Sequence, residues 1–148
     1  MIRGVLGKRR VFAGLLTIAL VALAVGVAQA LAGTGTATVP FQKNNFSCGA
    51  DIGTSTFGSV TFTRIDKTTL REHVRLTKAT PSRTYDILLF SGGCDFLATV
   101  GHLKTDSNGA GEATFTSSTF GFQSFFAEAL AQGGGGVNGD STIAKVDG

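Results

Sequence analysis

The stretch Thr84-Tyr-Asp-Ile-Leu-Leu-Phe90 decides the fold that this sequence predicts. Because successive side chains of an extended chain point to opposite sides, its apolar residues divide between two faces. One face carries Tyr85, Ile87 and Leu89, and the other carries Leu88 and Phe90. Apolar residues on both faces are typical of a strand in the middle of a packed sheet. We therefore predict a central strand here, with the strands that follow added to it as hairpins.

The first thirty residues have the three parts of a signal peptide. Four basic residues come first, namely Arg3, Lys8, Arg9 and Arg10. An apolar run over residues 11–27 follows and ends at the small-x-small cleavage motif Ala28-Gln-Ala30. We therefore expect residues 1–30 to be removed and residues 31–148 to form the secreted domain. The alternative is an uncleaved membrane anchor over residues 11–28, because this segment approaches the roughly 20 apolar residues that span a bilayer.

Loss of the signal peptide changes the charge balance. The whole chain has 13 Lys and Arg against 10 Asp and Glu, but four of the basic residues lie in the signal peptide. The secreted domain is therefore nearly neutral, and the basic pI gives no reason to expect nucleic-acid binding. One stretch departs from neutrality, because six basic residues there face only Asp66 and Glu72. The six are Arg64, Lys67, Arg71, Arg75, Lys78 and Arg83.

These six residues surround a predicted antiparallel hairpin, which we call the basic hairpin. Residues 59–63 alternate with Val60 and Phe62 inward, and residues 72–77 alternate with Val74 and Leu76 inward. The outer side of the pair is then basic. We expect it either to be an ordinary solvated face or to contact an anionic cell-wall polymer or another component of the bacterial envelope.

The only two cysteines, Cys48 and Cys94, both lie in the predicted secreted part. Outside the cytoplasm, oxidising conditions favour a disulfide between them. The loop it closes corresponds to about 4 kcal/mol in the chain-entropy treatment. Two thiols without a nearby pair of histidines give little support for a metal site, and we expect neither a metal nor a cofactor.

Residues after the central strand alternate between further strands and turns. We predict an extended run over residues 95–104, kinked at Gly101, a turn over residues 105–111 and an answering strand over residues 112–116. Residues 121–132 fit either a strand or a helix, because their apolar positions satisfy both periods, and we prefer a strand over residues 124–131. A last strand is predicted over residues 141–146. The result is an all-β chain of seven to eight short strands.

The segment Ala79-Thr-Pro-Ser-Arg-Thr-Tyr85 resembles the tyrosine corner of fibronectin type III and related immunoglobulin-like domains. The resemblance covers about a dozen residues, and Ala79 stands where such domains usually have Leu. It implies structural roles for Pro81 and Tyr85, with the Tyr85 hydroxyl hydrogen-bonded to the backbone of the corner. It also implies an immunoglobulin-like antiparallel β-sandwich. The turn over residues 105–111, with the strand after it, resembles the hairpin found in many small secreted bacterial β-sandwich modules. A small Greek-key barrel and a jelly roll are the alternatives.

The sequence contains no motif that predicts catalysis. Asp106, Asn108 and Glu112 are close together, but their spacing does not fit the calcium loop of an EF-hand. The two histidines lack a recognisable catalytic context, although a small hydrolase built on His102 and Asp106 remains an alternative. A secreted protease inhibitor that presents residues 133–140 is another. Our main expectation is a secreted, non-catalytic binding or structural module.

Overall fold

The structure is a computed structural model that describes residues 35–148. The predicted signal peptide, its cleavage site and the alternative membrane anchor lie outside the described residues. Over residues 35–148 the chain forms strands and connecting turns without a helix, and hence without a helix able to cross a membrane. The predicted all-β class is therefore confirmed.

Within residues 35–148, nine strands form two antiparallel sheets. Their bounds are β1 Thr36–Gln42, β2 Thr56–Arg64, β3 Thr69–Leu76, β4 Thr84–Ser91, β5 Phe96–Lys104, β6 Gly111–Ser118, β7 Ser124–Ala131, β8 Gly139–Asp140 and β9 Ala144–Lys145. Sheet I has the order β1-β2-β3-β6. Sheet II has the order β5-β4-β7-β8, and β9 also pairs with β7. The two sheets enclose a single cluster of buried apolar side chains, which makes the fold a β-sandwich.

The predicted central strand is confirmed. β4 pairs with β5 on one side and β7 on the other. Tyr85, Ile87 and Leu89 are completely buried between the sheets, whereas Leu88 and Phe90 are half-buried on the outer side of sheet II. The preferred strand over residues 124–131 is also confirmed, because β7 has these bounds.

The turn after β5 does not close the hairpin that was predicted between the runs over residues 95–104 and 112–116. It does not return the chain along β5, because β6 pairs with β3 in sheet I. The connection therefore crosses from one sheet to the other. Gly101, the predicted kink, lies beside a shift in the β4–β5 register, and a Cβ there would come within 2.4 Å of the Phe115 ring on the opposite sheet. The missing side chain makes room for packing between β5 and β6.

The C-terminal strand predicted over residues 141–146 is wrong as a continuous element. Residues 139–140 pair with β7, and residues 144–145 pair with it further along. Between them, the amide of Thr142 bonds to Pro40 and that of Ile143 to Gly49. The strand divides because these amides are satisfied by β1 and by the loop that follows it.

The disulfide between Cys48 and Cys94 is present, with the two Cα atoms 5.2 Å apart. It joins the loop between β1 and β2 to the turn between β4 and β5. Because Cys94 follows the central strand directly, the bridge fixes this loop to one end of sheet II. The predicted pairing is therefore confirmed.

The corner between β3 and β4 takes the chain from sheet I to sheet II. The hydroxyl of Tyr85 accepts a hydrogen bond from the Thr80 amide at 2.9 Å, as the tyrosine-corner pattern implies. Pro81 is exposed in the turn, and the hydroxyl of Thr105 donates to the Thr80 carbonyl at 2.7 Å. Hydrogen bonds thus join the corner both to β4 and to the residue that follows β5.

Candidate functional site

The outer side of sheet I is a continuous polar surface, which we call the polar face. Directly paired residues of antiparallel strands share a face, so the register places outward side chains in rows across the four strands. The rows contain mainly hydroxyl groups with a basic column on β3. They are Thr36, Thr63, Arg71 and Thr116; Thr38, Thr61, His73 and Thr114; and Pro40, Ser59, Arg75 and Glu112.

Threonine gives the polar face its regular geometry. Its branched side chain suits a half-exposed sheet position, and its hydroxyl can both donate and accept. The hydroxyls of Thr38 and Thr61 lie 2.8 Å apart across β1 and β2, and Thr36 donates to Thr63 at 3.4 Å. Neighbouring strands therefore present their oxygen atoms as an ordered array.

Arg71 and Arg75 supply the positive charge of the polar face. Both are exposed on β3, and they stand about 13 Å apart because strands rise roughly 3.3 Å per residue. Neither takes part in the three ion pairs found among residues 35–148. Between them, His73 shares a 2.7 Å hydrogen bond with Glu112. The two guanidinium groups are therefore available to solvent or to a ligand.

A shallow groove of about 280 Å³ lies at the Arg75 end of the polar face. Asp106 and Glu112 line it together with Arg75, so two carboxylates weaken the positive potential there. The backbone amides of Ala110 and Asn108 donate to the Asp106 carboxylate and lower its pKa. Asp106 thus remains ionised while it holds the turn before β6.

The other members of the basic hairpin are distributed over several places. Lys67 and Lys78 are exposed in the turns at the two ends of β3. Arg83 is half-buried and donates from Nη1 to the Gln132 carbonyl at 3.2 Å, after the chain has crossed towards sheet II. The structure therefore places Arg71 and Arg75 together, with two lysines at the ends of their strand, and Arg83 elsewhere.

Arg64 points into the protein, because it continues the inward alternation of Val60 and Phe62. Its Nε donates to the Val146 carbonyl at 3.0 Å and its Nη2 to the Phe122 carbonyl at 2.5 Å. Its guanidinium lies 5.8 Å from the centre of the Phe125 ring. Since only 4% of Arg64 is exposed, this residue joins the ends of several segments and is not available on the polar face.

Glu72 is a second buried ionisable residue, which the sequence analysis did not identify. It faces inward from the middle of β3, fully buried, and Ser117 donates its hydroxyl hydrogen to the Oε1 atom. Its Oε2 atom has no hydrogen-bond partner among the residues that the structure describes. Burial raises the pKa of Glu72 to about 7. The alternation of Leu70, Glu72 and Val74 was the signal that could have found it.

His102 and Asp106, the pair considered for hydrolysis, make separate contacts. His102 Nδ1 lies 2.6 Å from Oδ1 of Asp86, its direct partner on β4. Gln132 donates to the same Asp86 oxygen at 2.6 Å. Asp106 is bonded within its own turn instead. The His102 cluster is thus a hydrogen-bonded group on the outer side of sheet II.

The segment over residues 133–140, considered as an inhibitory loop, is largely fixed to the body of the protein. The Val137 amide donates to the Thr80 hydroxyl at 2.8 Å, and Asn138 accepts from the Ala131 amide. Gly139 and Asp140 are buried as β8. Only residues 133–135 are exposed as a run.

Within residues 35–148, no group of three or more potential metal-binding side chains comes together. No protein-family model matches the chain, and no curated protein matches its sequence. The candidate site therefore rests on its own geometry.

Proposed function

We propose that this chain is a secreted, non-catalytic binding module of the bacterial cell envelope, and that its polar face contacts an anionic cell-wall polymer. The observation on which the proposal depends is the exposure of Arg71 and Arg75 on one face of β3, where neither forms an ion pair with another of residues 35–148. The disulfide supports an oxidising compartment, and the N-terminal sequence supports export through a signal peptide.

The composition of the polar face suits a polymer that alternates anionic groups with hydroxyls. A guanidinium group recognises phosphate or carboxylate with two parallel hydrogen bonds. Threonine hydroxyls on both sides of the arginine column can exchange hydrogen bonds with sugar or polyol oxygens. Each exposed contact is weak, so attachment would depend on several contacts along one polymer strand.

We also propose that the domain is related in architecture to the immunoglobulin-like sandwiches. The hydrogen bond from the Thr80 amide to the Tyr85 hydroxyl at a crossing between sheets supports this relationship. The strand order departs from the immunoglobulin arrangement, because the second and third strands pair within one sheet, whereas strands B and C of that arrangement lie in different sheets. The relationship therefore concerns the corner and the layering more than the connectivity.

Co-sedimentation with purified bacterial cell walls tests the proposed contact. We expect binding of the unchanged protein to fall as salt rises from about 0.05 M to about 0.5 M, because exposed charge pairs are screened. Arg71→Gln combined with Arg75→Gln should weaken binding about tenfold, since each exposed pair contributes up to about 1 kcal/mol.

The matched control is Lys104→Gln combined with Lys145→Gln, which removes the same charge from exposed positions of sheet II. If the control weakens binding as much as the arginine pair does, the attraction depends on net charge and the polar face is not the site. Binding that neither salt nor either double variant changes would contradict the proposal as a whole.

A further inference from the structure

The outer side of sheet II contains a small cleft, which we call the aromatic cleft. It lies between the strands of sheet II and the loop that follows β1, and its volume is about 110 Å³. Its walls are aromatic rings, the disulfide and two carboxylates. The lining residues are Phe46, Cys48, Phe90, Cys94, Phe126, Glu128 and Asp140.

One wall of the aromatic cleft is a rigid ring stack. The Phe90 and Phe126 rings are nearly parallel, with an interplanar angle of 7° and centroids 4.9 Å apart. Phe96 meets Phe90 edge-on at 5.6 Å. Gly49 lies so close to Phe126 that an added Cβ would come within 2.8 Å of its side chain. Because the disulfide holds the loop here, the wall is formed before any ligand arrives.

The other wall of the aromatic cleft carries two neighbouring carboxylates. Glu128 and Asp140 are direct partners across β7 and β8, and Asp140 is only 3% exposed. The Gly49 amide donates to Asp140 at 3.4 Å. Neither carboxylate belongs to an ion pair within the described part of the chain. Partial burial of two like charges is unfavourable, and a cation between them would cancel the repulsion and offset the cost of desolvation.

We propose that the aromatic cleft binds one lysine or arginine side chain of a partner polypeptide. A cation there could lie over the face of an aromatic ring and close to two carboxylates, a combination that favours ammonium and guanidinium groups. Binding sites for whole small molecules usually measure about 300–1,000 Å³, so a cleft of about 110 Å³ suits a single side chain.

The surroundings of the aromatic cleft favour a cation carried by a peptide over a free ion. Phe46 is 57% exposed and Phe96 is 58% exposed, and both lie beside the ring stack. Ile143, which is 42% exposed, packs next to Gly49 on the same side. Such an apolar rim would contact the residues that flank the basic side chain. This surface is separate from the polar face, so the inference does not depend on the function proposed above.

Amide NMR of the protein, purified with its disulfide formed, tests the inference. The probe is the blocked tripeptide acetyl-Leu-Arg-Leu-amide, and the matched peptide contains citrulline, which keeps the shape of arginine without its charge. Measurements at about pH 8 favour ionised carboxylates, because burial raises the pKa of both Glu128 and Asp140. We expect the arginine peptide to shift the Gly49 and Phe126 amides at millimolar concentration, and the citrulline peptide to bind at least about fivefold more weakly.

Glu128→Gln should lower the affinity for the arginine peptide about five- to tenfold, since it removes one charge and keeps the shape of the side chain. The matched control is Glu112→Gln on the polar face, which should leave the affinity unchanged. Equal binding of the two peptides, or an equal effect of the two variants, would overturn the inference.

Sedimentation of the protein alone separates a partner polypeptide from a second copy of this chain. Association that increases with protein concentration, and that both Arg71→Gln and Glu128→Gln abolish, would assign the aromatic cleft to an arginine of a neighbouring copy. That result would overturn the assignment to a separate partner. Monomeric behaviour up to the concentrations used for the peptide titration would support it.

Discussion

The outer sides of the two sheets differ in nearly every property. Sheet I presents the polar face, an open array of hydroxyls with the two exposed guanidinium groups of Arg71 and Arg75. Sheet II presents stacked phenylalanines and two carboxylates, and a loop held by the disulfide covers part of it. A sheet packed on one side only shows a clear alternation, whereas one covered on both sides shows runs of apolar residues. The covering loop therefore explains why the end of β4, at Phe90, is apolar on its outer face as well.

The inner sides of the two sheets, which face the core, differ in the opposite sense, because here it is sheet I that carries ionisable residues. Sheet II contributes Tyr85, Ile87, Leu89 and the alanines of β7 to the core. Sheet I contributes apolar residues together with Arg64 and Glu72, both at inward positions. Arg64 has carbonyl partners for its guanidinium, whereas one Glu72 oxygen has none among the described residues. The sheet with the simpler outer face thus has two ionisable side chains at inward positions.

We expect the largest effect when the disulfide that holds the loop over sheet II is removed. Cys48→Ser combined with Cys94→Ser should lower the free energy of unfolding by about 4 kcal/mol, because the open chain regains the entropy of the loop. Denaturant titration measures this change. Hydrogen exchange should also become faster at Phe126, which the loop covers, than at Val74 in the middle of sheet I.

Equal acceleration at both positions would show that the disulfide stabilises the whole domain without any particular role for the loop. In that case the loop would protect sheet II no more than sheet I. Reduction of the unchanged protein under native conditions provides a second measurement without substitution.

The next effect concerns the buried carboxyl group of sheet I. The pKa of Glu72 is raised from its ordinary value of 4.5 to about 7, so the folded protein holds this proton more tightly than the unfolded chain. Its contribution to stability is therefore fully present below about pH 4.5 and is lost as the pH rises to about 7. The loss corresponds to about 3 kcal/mol. Glu72→Gln should remove this pH dependence and make the protein more stable than the unchanged protein at pH 8.

The difference in unfolding free energy between the two proteins, measured from pH 4 to pH 8, isolates Glu72 from Glu128 and Asp140, whose pKa values are also raised. Asp147→Asn, which changes an exposed carboxyl group whose ion-pair partner is Lys145, is the control and should give a nearly constant difference. A constant difference for Glu72→Gln as well would mean that its carboxyl group ionises normally in the folded protein.

The sequence predicted those parts of the molecule in which local pattern decides the outcome. The alternation over residues 59–63, 72–77 and 84–90 gave strands and faces correctly, and the two cysteines allowed only one pairing. The partner of β6 could not be predicted, because a turn of the same sequence can lead back along the sheet or across to the other one. The division of the last strand likewise depends on amides of distant residues.

The burial of two ionisable residues was missed for a different reason. Arg64 and Glu72 occupy inward positions of correctly predicted strands, so the alternation of apolar residues already indicated that their side chains point into the core. Arg64 was assigned to the basic outer side because a charged residue is seldom buried without a partner. Its partners are backbone carbonyls from the end of the chain and from the loop before β7, which sequence cannot place. The candidate site was therefore predicted only for the residues that lie outward on β3.

Substitution of one arginine on each side of sheet I separates the contribution of a buried, hydrogen-bonded guanidinium from that of an exposed one. Arg64→Gln should destabilise the protein by about 2 kcal/mol, because buried carbonyl groups lose a charged donor. Arg71→Gln makes the same chemical change on the polar face and should alter stability by less than about 0.5 kcal/mol. Denaturant titration of both variants measures the difference, and similar values would contradict the distinction between an anchoring and a free arginine.

The smallest effect is expected where the chain passes from one sheet to the other. Tyr85→Phe keeps the buried ring but removes the acceptor of the Thr80 amide, which should cost about 1 kcal/mol. The control is Thr61→Val, which removes an exposed hydroxyl and its hydrogen bond to Thr38 on the polar face and should cost almost nothing. Thermal unfolding of the two variants distinguishes a hydrogen bond that fixes a crossing from one that water can replace. If the two losses are equal, the Tyr85 hydroxyl contributes no more than a surface hydroxyl, and the corner is held by the ring and by Thr105 alone.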